Sequence, residues 1–236
     1  MNRKCMALAA ACALLAGAAL AADKKVVVNP ILVAKSDGSA RAAFAAYEVY
    51  ADKIWDQANI MIDFLAPTYL DDTAYWAFDY SNAWSLVTDP GHGQSGDALT
   101  INAFFVDHIY NASVYGFAYY DQPYMVLDVQ NILGYSALGR VDTFSHELGH
   151  NLYLPHYDVA NPGDPNAADH LMASGGIRNI PQDLGDVAPD GNGWDLLGAD
   201  EIDTARASRF AQAVPEPATL AVLGAGLAIL SRRRRK

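Results

Sequence analysis

Residues 145–158, SHELGHNLYLPHYD, carry three histidines and one glutamate in a single short stretch. On a helix, His146 and His150 differ by about 40° around the axis, so their side chains project side by side. Two imidazoles in this arrangement can reach one Zn²⁺ at about 2.0–2.1 Å. Glu147 points about 100° away from His146, where it can exchange protons with a reacting water. The stretch therefore predicts a helix that carries a zinc site.

A catalytic zinc needs a third protein ligand and an open fourth position. His156 follows His150 by six residues and cannot lie on the same helical face. If the helix ends near Leu152 and the chain folds back, His156 completes the set. Pro155 favours this ending, because proline interrupts a helix and the residue before it prefers an extended conformation. A downstream acid such as Glu201 is the alternative third ligand.

These residues resemble the pattern of the metzincin metallopeptidases, His-Glu-x-x-His-x-x-Gly-x-x-His followed by a methionine turn. The segment HLMASGG, 170–176, is similar to that turn and places Met172 at its methionine. The likeness covers most of 26–213 and is strongest over 143–174. It implies a zinc endopeptidase in which Met172 lies beneath the metal and a glutamate serves as general base and then general acid. The residues matched to the catalytic and ligand positions are Glu147 and His146, His150 and His156.

The sequence departs from the metzincin pattern at two places. Tyr153 stands where the family has a glycine that ends the helix in a left-handed conformation. A side chain with a Cβ disfavours that conformation by roughly 1–2 kcal/mol, so either Tyr153 accepts the strain or the turn is made differently. The family's tyrosine shortly after the methionine is also missing, since Ala173, Ser174 and Gly175 follow Met172.

The N-terminal segment has the layout of a secretory signal peptide. Arg3 and Lys4 precede an apolar run, and small residues lead up to a predicted cleavage site near Ala22. Cys5 and Cys12 are the two cysteines of the chain, and both lie in this segment. The mature protein would therefore have neither a disulfide nor a cysteine ligand.

The C-terminal segment is VPEPATLAVLGAGLAILSRRRRK, residues 214–236. Its apolar run, 218–230, is shorter than the roughly 20 residues of a transmembrane helix, and the terminal arginines would stay on the cytoplasmic side. The Pro-Glu-Pro element, the apolar run and the arginine cluster together resemble the PEP-CTERM tail of exported bacterial proteins. The resemblance implies transient membrane association, processing by an exosortase, and export by a Gram-negative bacterium to its surface or extracellular matrix.

The region between the two ends is strongly acidic. Of the 27 acidic residues all but Glu216 lie in 23–213, whereas seven of the 16 basic residues lie in the ends. This charge repels phosphate backbones, so we expect no nucleic-acid partner. The loops 158–169 and 186–195 are rich in carboxylates and are weak candidates for Ca²⁺ binding, although solvated loop acids are the more ordinary interpretation.

Hydrophobic periodicity predicts an α+β domain with an α/β-like mixed sheet. With the metzincin resemblance, the expectation is a zincin fold with an active-site helix, a Met-turn and a C-terminal helix. The domain limits are 1–22 for the signal peptide, 23–213 for the catalytic domain and 214–236 for the sorting tail. Predicted strands cover 24–34, 60–70, 98–110 and 116–129, and predicted helices cover 39–59, 140–152 and 198–213, with a weakly supported short helix within 73–87.

The expected function is a secreted zinc endopeptidase that acts on a protein or peptide substrate. The substrate would lie extended along an edge strand near 113–121, where Gly116 allows close backbone approach, and Arg178 would line the substrate pocket. His170 is a weak candidate ligand, whereas His92 and His108 are expected to be loop and core residues. The alternative is a zinc-containing, polysaccharide-associated matrix protein without peptidase activity.

Overall fold

The computed structural model describes residues 22–214, of which 24–212 form one compact unit. The remaining unit comprises the chain ends, 1–23 and 213–236, of which 22–23 and 213–214 are described. The predicted signal peptide, apart from Ala22, and the sorting tail beyond Val214 lie outside the described residues. Among the described residues, no helix has the length and apolar character needed to span a membrane.

The described chain alternates short strands and helices. The strands are β1 (Lys24–Ala34), β2 (Ile60–Phe64), β3 (Thr68–Asp71), β4 (Ala77–Asp79), β5 (Thr100–Val106), β6 (His108–Tyr110), β7 (Gly116–Ala118), β8 (Tyr124–Asp128) and β9 (Gln212–Ala213). The α-helices are α1 (Glu48–Asp56), α2 (Thr73–Trp76), α3 (Ala83–Thr88), α4 (Val129–Gly134), α5 (Thr143–Asn151), α6 (Tyr157–Ala160) and α7 (Ala199–Ala207). Single 3₁₀ turns cover Tyr80–Asn82, Ala167–Asp169 and Leu184–Asp186.

The main sheet has the order β2-β1-β5-β8-β7, with β3 beside the C-terminal half of β1. Strands β2, β1, β5 and β8 run parallel, whereas β7 pairs antiparallel with β8 at the edge. A separate parallel pair joins β4 and β6. The fold is thus mixed α/β with a mostly parallel sheet, and its antiparallel edge strand borders the site described below.

Two apolar layers cover the two faces of the sheet. All seven residues of β5 are buried, which explains the apolar run at its end, 103–106, because a parallel central strand is covered on both faces. The larger layer contains Trp55 of α1 and Phe144 of α5, together with Met125 and Leu127 of β8. The smaller layer contains Val126 of β8 and the buried side of α3. Helix α5 therefore packs on one face of the sheet only.

The predicted helix over 39–59 is shorter in the structure, where it starts at Glu48. Ser39 does not cap it, because its backbone N–H and hydroxyl both donate to Asp37. Tyr47, just before the helix, has a φ of 49°. The last helix is also shorter than predicted and ends at Ala207, where Ser208 takes an extended ψ of 144°.

Three predicted strands are interrupted. The run 98–110 divides at Asp107 into β5 and β6, which belong to different sheets. The run 60–70 divides into β2 and β3, which pair with different parts of β1. The run 116–129 divides into β7 and β8, joined by a turn in which Gln122 N–H donates to the Tyr119 carbonyl. Asp121 has a φ of 50° in this turn, a conformation that reverses the chain direction and that the apolar pattern does not reveal.

Candidate metal centre

The turn at the end of helix α5 brings the chain back toward the side chains of that helix. Tyr153 N–H donates to the His150 carbonyl at 3.0 Å, and Leu154 N–H donates to the Gly149 carbonyl at 2.9 Å. This pair of bonds is the Schellman arrangement, which needs a left-handed residue just past the helix. Tyr153 is that residue, with a φ of 74°. The turn expected of a glycine is therefore made by a tyrosine.

The turn brings His156 against the two helical histidines. One ring nitrogen from each of His146, His150 and His156 lies within 4.8 Å of the other two. The ring centroid of His150 lies 4.8 Å from that of His146 and 4.8 Å from that of His156. The centroids of His146 and His156 are 5.4 Å apart. Three imidazoles from one helix and the loop after it therefore converge on one point.

Backbone carbonyls hold two of these rings. His146 Nδ1 lies 2.7 Å from the Leu171 carbonyl oxygen, and His150 Nδ1 lies 2.8 Å from the Leu154 carbonyl oxygen. A carbonyl can only accept, so these contacts assign the proton of each neutral ring to Nδ1. Nε2 is left with its lone pair, which is the arrangement typical of metal-binding histidines.

The surroundings favour uncharged rings. Burial holds the pKa of His146 well below its ordinary value, helped by the Arg178 guanidinium. Burial lowers the pKa of His150 to about 4 and also lowers that of His156. All three imidazoles are thus neutral at neutral pH and able to donate a nitrogen lone pair.

Glu147 lies beside the three histidines and is itself buried. Its Cγ approaches the edge strand so closely that a Cβ built on Gly116 would meet it at 3.2 Å and the Val126 carbonyl oxygen at 2.9 Å. Glycine at 116 is therefore needed for the packing of Glu147 and β8. Burial raises the pKa of Glu147 to about 8, and the nearby Arg178 and Arg140 oppose this rise.

Met172 is fully buried against helix α5. A Cβ on Gly149 would collide with the Met172 sulfur, so the helix and the methionine turn meet where the helix has no side chain. The Met172 carbonyl accepts from Tyr157 N–H at 2.7 Å, which ties the turn to the residue after His156. The position of Met172 beneath a bound metal stays a prediction.

A buried ion pair links the start of α5 to the methionine turn. Arg178 Nε lies 2.6 Å from Asp142 Oδ2, and Arg140 Nε lies 3.6 Å from the other oxygen of Asp142. Arg178 Nη1 also donates to the carbonyls of Leu171 and Ala173 at 3.0 and 3.3 Å and contacts His146 Nδ1.

Sequence analysis missed Asp142 because it precedes a helix, where aspartate commonly caps the backbone. The structure gives it no side-chain capping bond and places it against two arginines instead. Arg178 lines the cleft as predicted, but these bonds tie its guanidinium to the protein. Contact of Arg178 with a substrate remains a prediction.

His170 and Glu201 have partners of their own. His170 Nδ1 lies 3.0 Å from Glu201 Oε2, and the His170 ring stacks on Tyr157 at 3.4 Å between centroids. Within residues 22–214, the group of side chains close enough to share one ion is that of the three histidines, which includes neither residue. The carboxylate-rich loops contribute no such group in that range, so the calcium prediction gains no support.

The other two histidines have structural partners, as expected. His92 Nδ1 lies 2.8 Å from the Leu86 carbonyl oxygen, and His108 Nδ1 lies 2.9 Å from Asp128 Oδ2.

An open cleft of about 720 Å³ runs past the three histidines and Glu147. One wall is strand β7, and the other includes Gly175, Gly176 and Arg178. Tyr120, from the turn after β7, places its ring 5.1 Å from that of His150. No sequence pattern indicates a role for this tyrosine, which lies far along the chain from the methionine turn.

Comparison with known protein families gives a match for the C-terminal tail. Residues 213–236 match the PEP-CTERM protein-sorting motif, which confirms the predicted tail and indicates export. No curated protein matches the chain.

Among solved structures, the archaemetzincin of Archaeoglobus fulgidus is 15% identical, with a TM-score of 0.42 over 76% of this chain and 99% of that one. A zinc-dependent peptidase of Methanocorpusculum labreanum is 12% identical, with a TM-score of 0.42 over 76% and 99%. The archaemetzincin of Methanopyrus kandleri is 13% identical, with a TM-score of 0.44 over 77% and 94%.

Proposed function

We propose that this protein is an exported zinc-dependent endopeptidase of the metzincin type. The observation that carries the proposal is the convergence of His146, His150 and His156 beside Glu147 in an open cleft. The catalytic domain would comprise residues 23–213, between a removed signal peptide and the sorting tail.

The donor set fits zinc. Three neutral imidazoles, two of them anchored at Nδ1 by backbone carbonyls, match the three-histidine sets of catalytic zinc sites, which leave a fourth position for water or substrate. Imidazole also suits copper, iron and nickel, so the distinction rests on the neighbouring glutamate, which hydrolysis requires. When bound, zinc lowers the pKa of its water toward about 7 and polarises a carbonyl group.

Glu147 would serve as the proton carrier of the reaction. It takes a proton from the attacking water as the water oxygen bonds to the peptide carbonyl carbon. It then passes that proton to the amide nitrogen as the carbon–nitrogen bond breaks, which yields a carboxylate and an amine. The burial that raises its pKa to about 8 favours proton delivery, and a cation held by the histidines would favour the carboxylate form.

The substrate would bind as an extended strand beside β7. This strand is one edge of the main sheet, it borders the cleft, and Gly116 lies next to Glu147. An exposed edge offers backbone hydrogen bonds to any extended peptide, whatever its sequence. An endopeptidase needs such a mode of binding, because it acts within a chain.

The sorting tail would direct the enzyme to the cell surface or extracellular matrix of a Gram-negative bacterium. The tail would associate with the membrane transiently and be cut by an exosortase-type enzyme. Both the processing enzyme and a protein substrate are therefore partners in this proposal.

The deciding experiment is cleavage of a denatured protein by the purified full-length chain, before and after chelation and zinc restoration. Glu147→Ala should abolish cleavage and leave zinc bound, because Glu147 is not in the ligand set. Glu48→Ala, at an exposed glutamate, is the matched control and should retain full activity.

Two results would count against the proposal. Loss of zinc in Glu147→Ala would contradict the role given to this residue. Tight zinc binding without cleavage of any denatured protein would favour the matrix role, in which zinc is retained without peptidase activity.

A further inference from the structure

The hydrogen-bonding pattern of β7 determines which of its backbone groups face outward. Asp128 N–H donates to the Tyr115 carbonyl, and Tyr119 N–H donates to the Tyr124 carbonyl. Bonded pairs alternate along an antiparallel ladder, so Phe117 exchanges its bonds with Val126 of β8. The N–H and C=O groups of the two residues on either side, Gly116 and Ala118, therefore point to the free edge.

A peptide added at this edge would present its side chains alternately to the two faces of the sheet. A peptide residue opposite Gly116 or Ala118 lies on the face of Glu147, because a Cβ on Gly116 would point toward that side chain. A peptide residue opposite Phe117 lies on the other face, where Phe117 and Val126 belong to the smaller apolar layer.

That other face carries a row of four aromatic side chains, which we call the aromatic strip: Tyr80, Phe117, Tyr119 and Trp84. Consecutive members touch edge to face, with ring centroids 5.0, 5.9 and 5.3 Å apart along the row. Trp84 is 57% exposed and Tyr80 is 44% exposed. An exposed row of large apolar side chains beside a cleft is typical of a binding surface.

We propose that the aromatic strip selects a large apolar or aromatic side chain on an extended peptide, at the position that pairs with Phe117. This inference rests on the proposed function and adds a substrate class to it. The preferred position alternates with the peptide positions that face Glu147 and the histidines.

Three features favour an extended peptide as the occupant. The outward backbone groups of Gly116 and Ala118 offer the bonds of strand addition. The strip is continuous, through Phe117, with the wall of the catalytic cleft. Its members carry rings rather than charges, and aromatic cross-strand pairs stabilise a strand pair more than small side chains do.

The test uses a set of short peptide substrates built from alanine, serine and threonine. Each peptide of the set carries one phenylalanine, at a different position. We expect phenylalanine at the Phe117-paired position to raise kcat/KM by about three- to tenfold, the range given by aromatic cross-strand contacts. Tyr80→Ser combined with Trp84→Ser should remove that preference and leave cleavage of the phenylalanine-free peptide unchanged within about twofold.

Tyr69→Ser is the matched control. Tyr69 is 61% exposed on β3, which pairs with β1 rather than with β7 or β8. Its loss should leave the phenylalanine preference intact. An equal preference at consecutive peptide positions, or one that survives in the double variant, would overturn the inference.

A binding measurement separates this inference from the peptidase proposal. The Glu147→Ala chain with zinc is titrated with the same labelled peptides, and fluorescence anisotropy gives their affinities. Cleavage without a strip-dependent preference would overturn the inference alone. Strip-dependent affinity without cleavage by the unaltered chain would support the inference and overturn the peptidase. The absence of both would overturn both.

Discussion

His156 and His170 lie on either side of the same acidic loop, yet their imidazoles have different partners. His156 faces two other neutral rings, and one nitrogen of each ring lies within 4.8 Å of the others. The ring of His170 is covered by Tyr157 and its Nδ1 meets the Glu201 carboxylate. The His170 imidazole is thus engaged by a stacked ring and a carboxylate, whereas His146, His150 and His156 each turn one nitrogen toward the other two.

The comparison shows that the surroundings of a histidine, rather than its position in the sequence, decide whether it joins the three-histidine group. Both residues follow the helix that carries His146 and His150, and both lie near Met172. Tyr157 separates the two environments, since its backbone N–H binds Met172 and its ring covers His170.

The largest effect is expected from removing one member of the histidine group. His156→Ala should lower zinc affinity on the order of a thousandfold or more and abolish cleavage, since even an outer partner of a ligand is worth about 10–100-fold. His170→Gln should leave zinc affinity unchanged. Competition with a chromophoric chelator measures both, and unaltered affinity in His156→Ala would exclude the metzincin ligand set.

Asp142→Asn should destabilise the fold by about 3–5 kcal/mol, because it leaves two buried guanidinium groups without their carboxylate. Arg178, which also binds the Leu171 and Ala173 carbonyls, would lose its anchor to helix α5. Urea unfolding of the chelated protein gives the change. Asp121→Asn, in an ion pair with Arg209 that is about half exposed, is the control and should cost less than about 1 kcal/mol.

Gly149→Ala should cost about 1–3 kcal/mol, because its Cβ would collide with the Met172 sulfur. Gly134→Ala meets no atom within 4 Å and should change stability by about 1 kcal/mol or less. Thermal unfolding of the zinc-free variants compares them. Equal stability would mean that the methionine is not packed against the helix at this point.

The smallest effect concerns the left-handed residue that returns the chain to His156. Tyr153→Gly should be more stable than Tyr153→Ala by about 0.5–1 kcal/mol, since relief of left-handed strain exceeds the added backbone entropy of glycine. Both variants lose the ring that packs on Tyr120, so their difference isolates the backbone. A more stable alanine variant would contradict the left-handed turn.

The local features of this protein follow from its amino-acid pattern. The spacing of His146 and His150 placed two imidazoles on one helical face, and Pro155 marked the region where that helix ends. The apolar runs predicted most strands, and the tail motif could be identified from its own residues. These features depend on neighbours a few residues apart, which a pattern records directly.

The contacts between distant segments follow from the tertiary structure alone. The pairing of Asp142 with Arg178, the approach of Tyr120 to His150 and the reversal of β7 at the sheet edge each join segments that are separate in sequence. No periodicity encodes them, because they follow from how the layers pack. Tyr153 depends on both local and tertiary structure. Its side chain disfavours a left-handed conformation, yet the buried helix and the returning loop together impose that conformation.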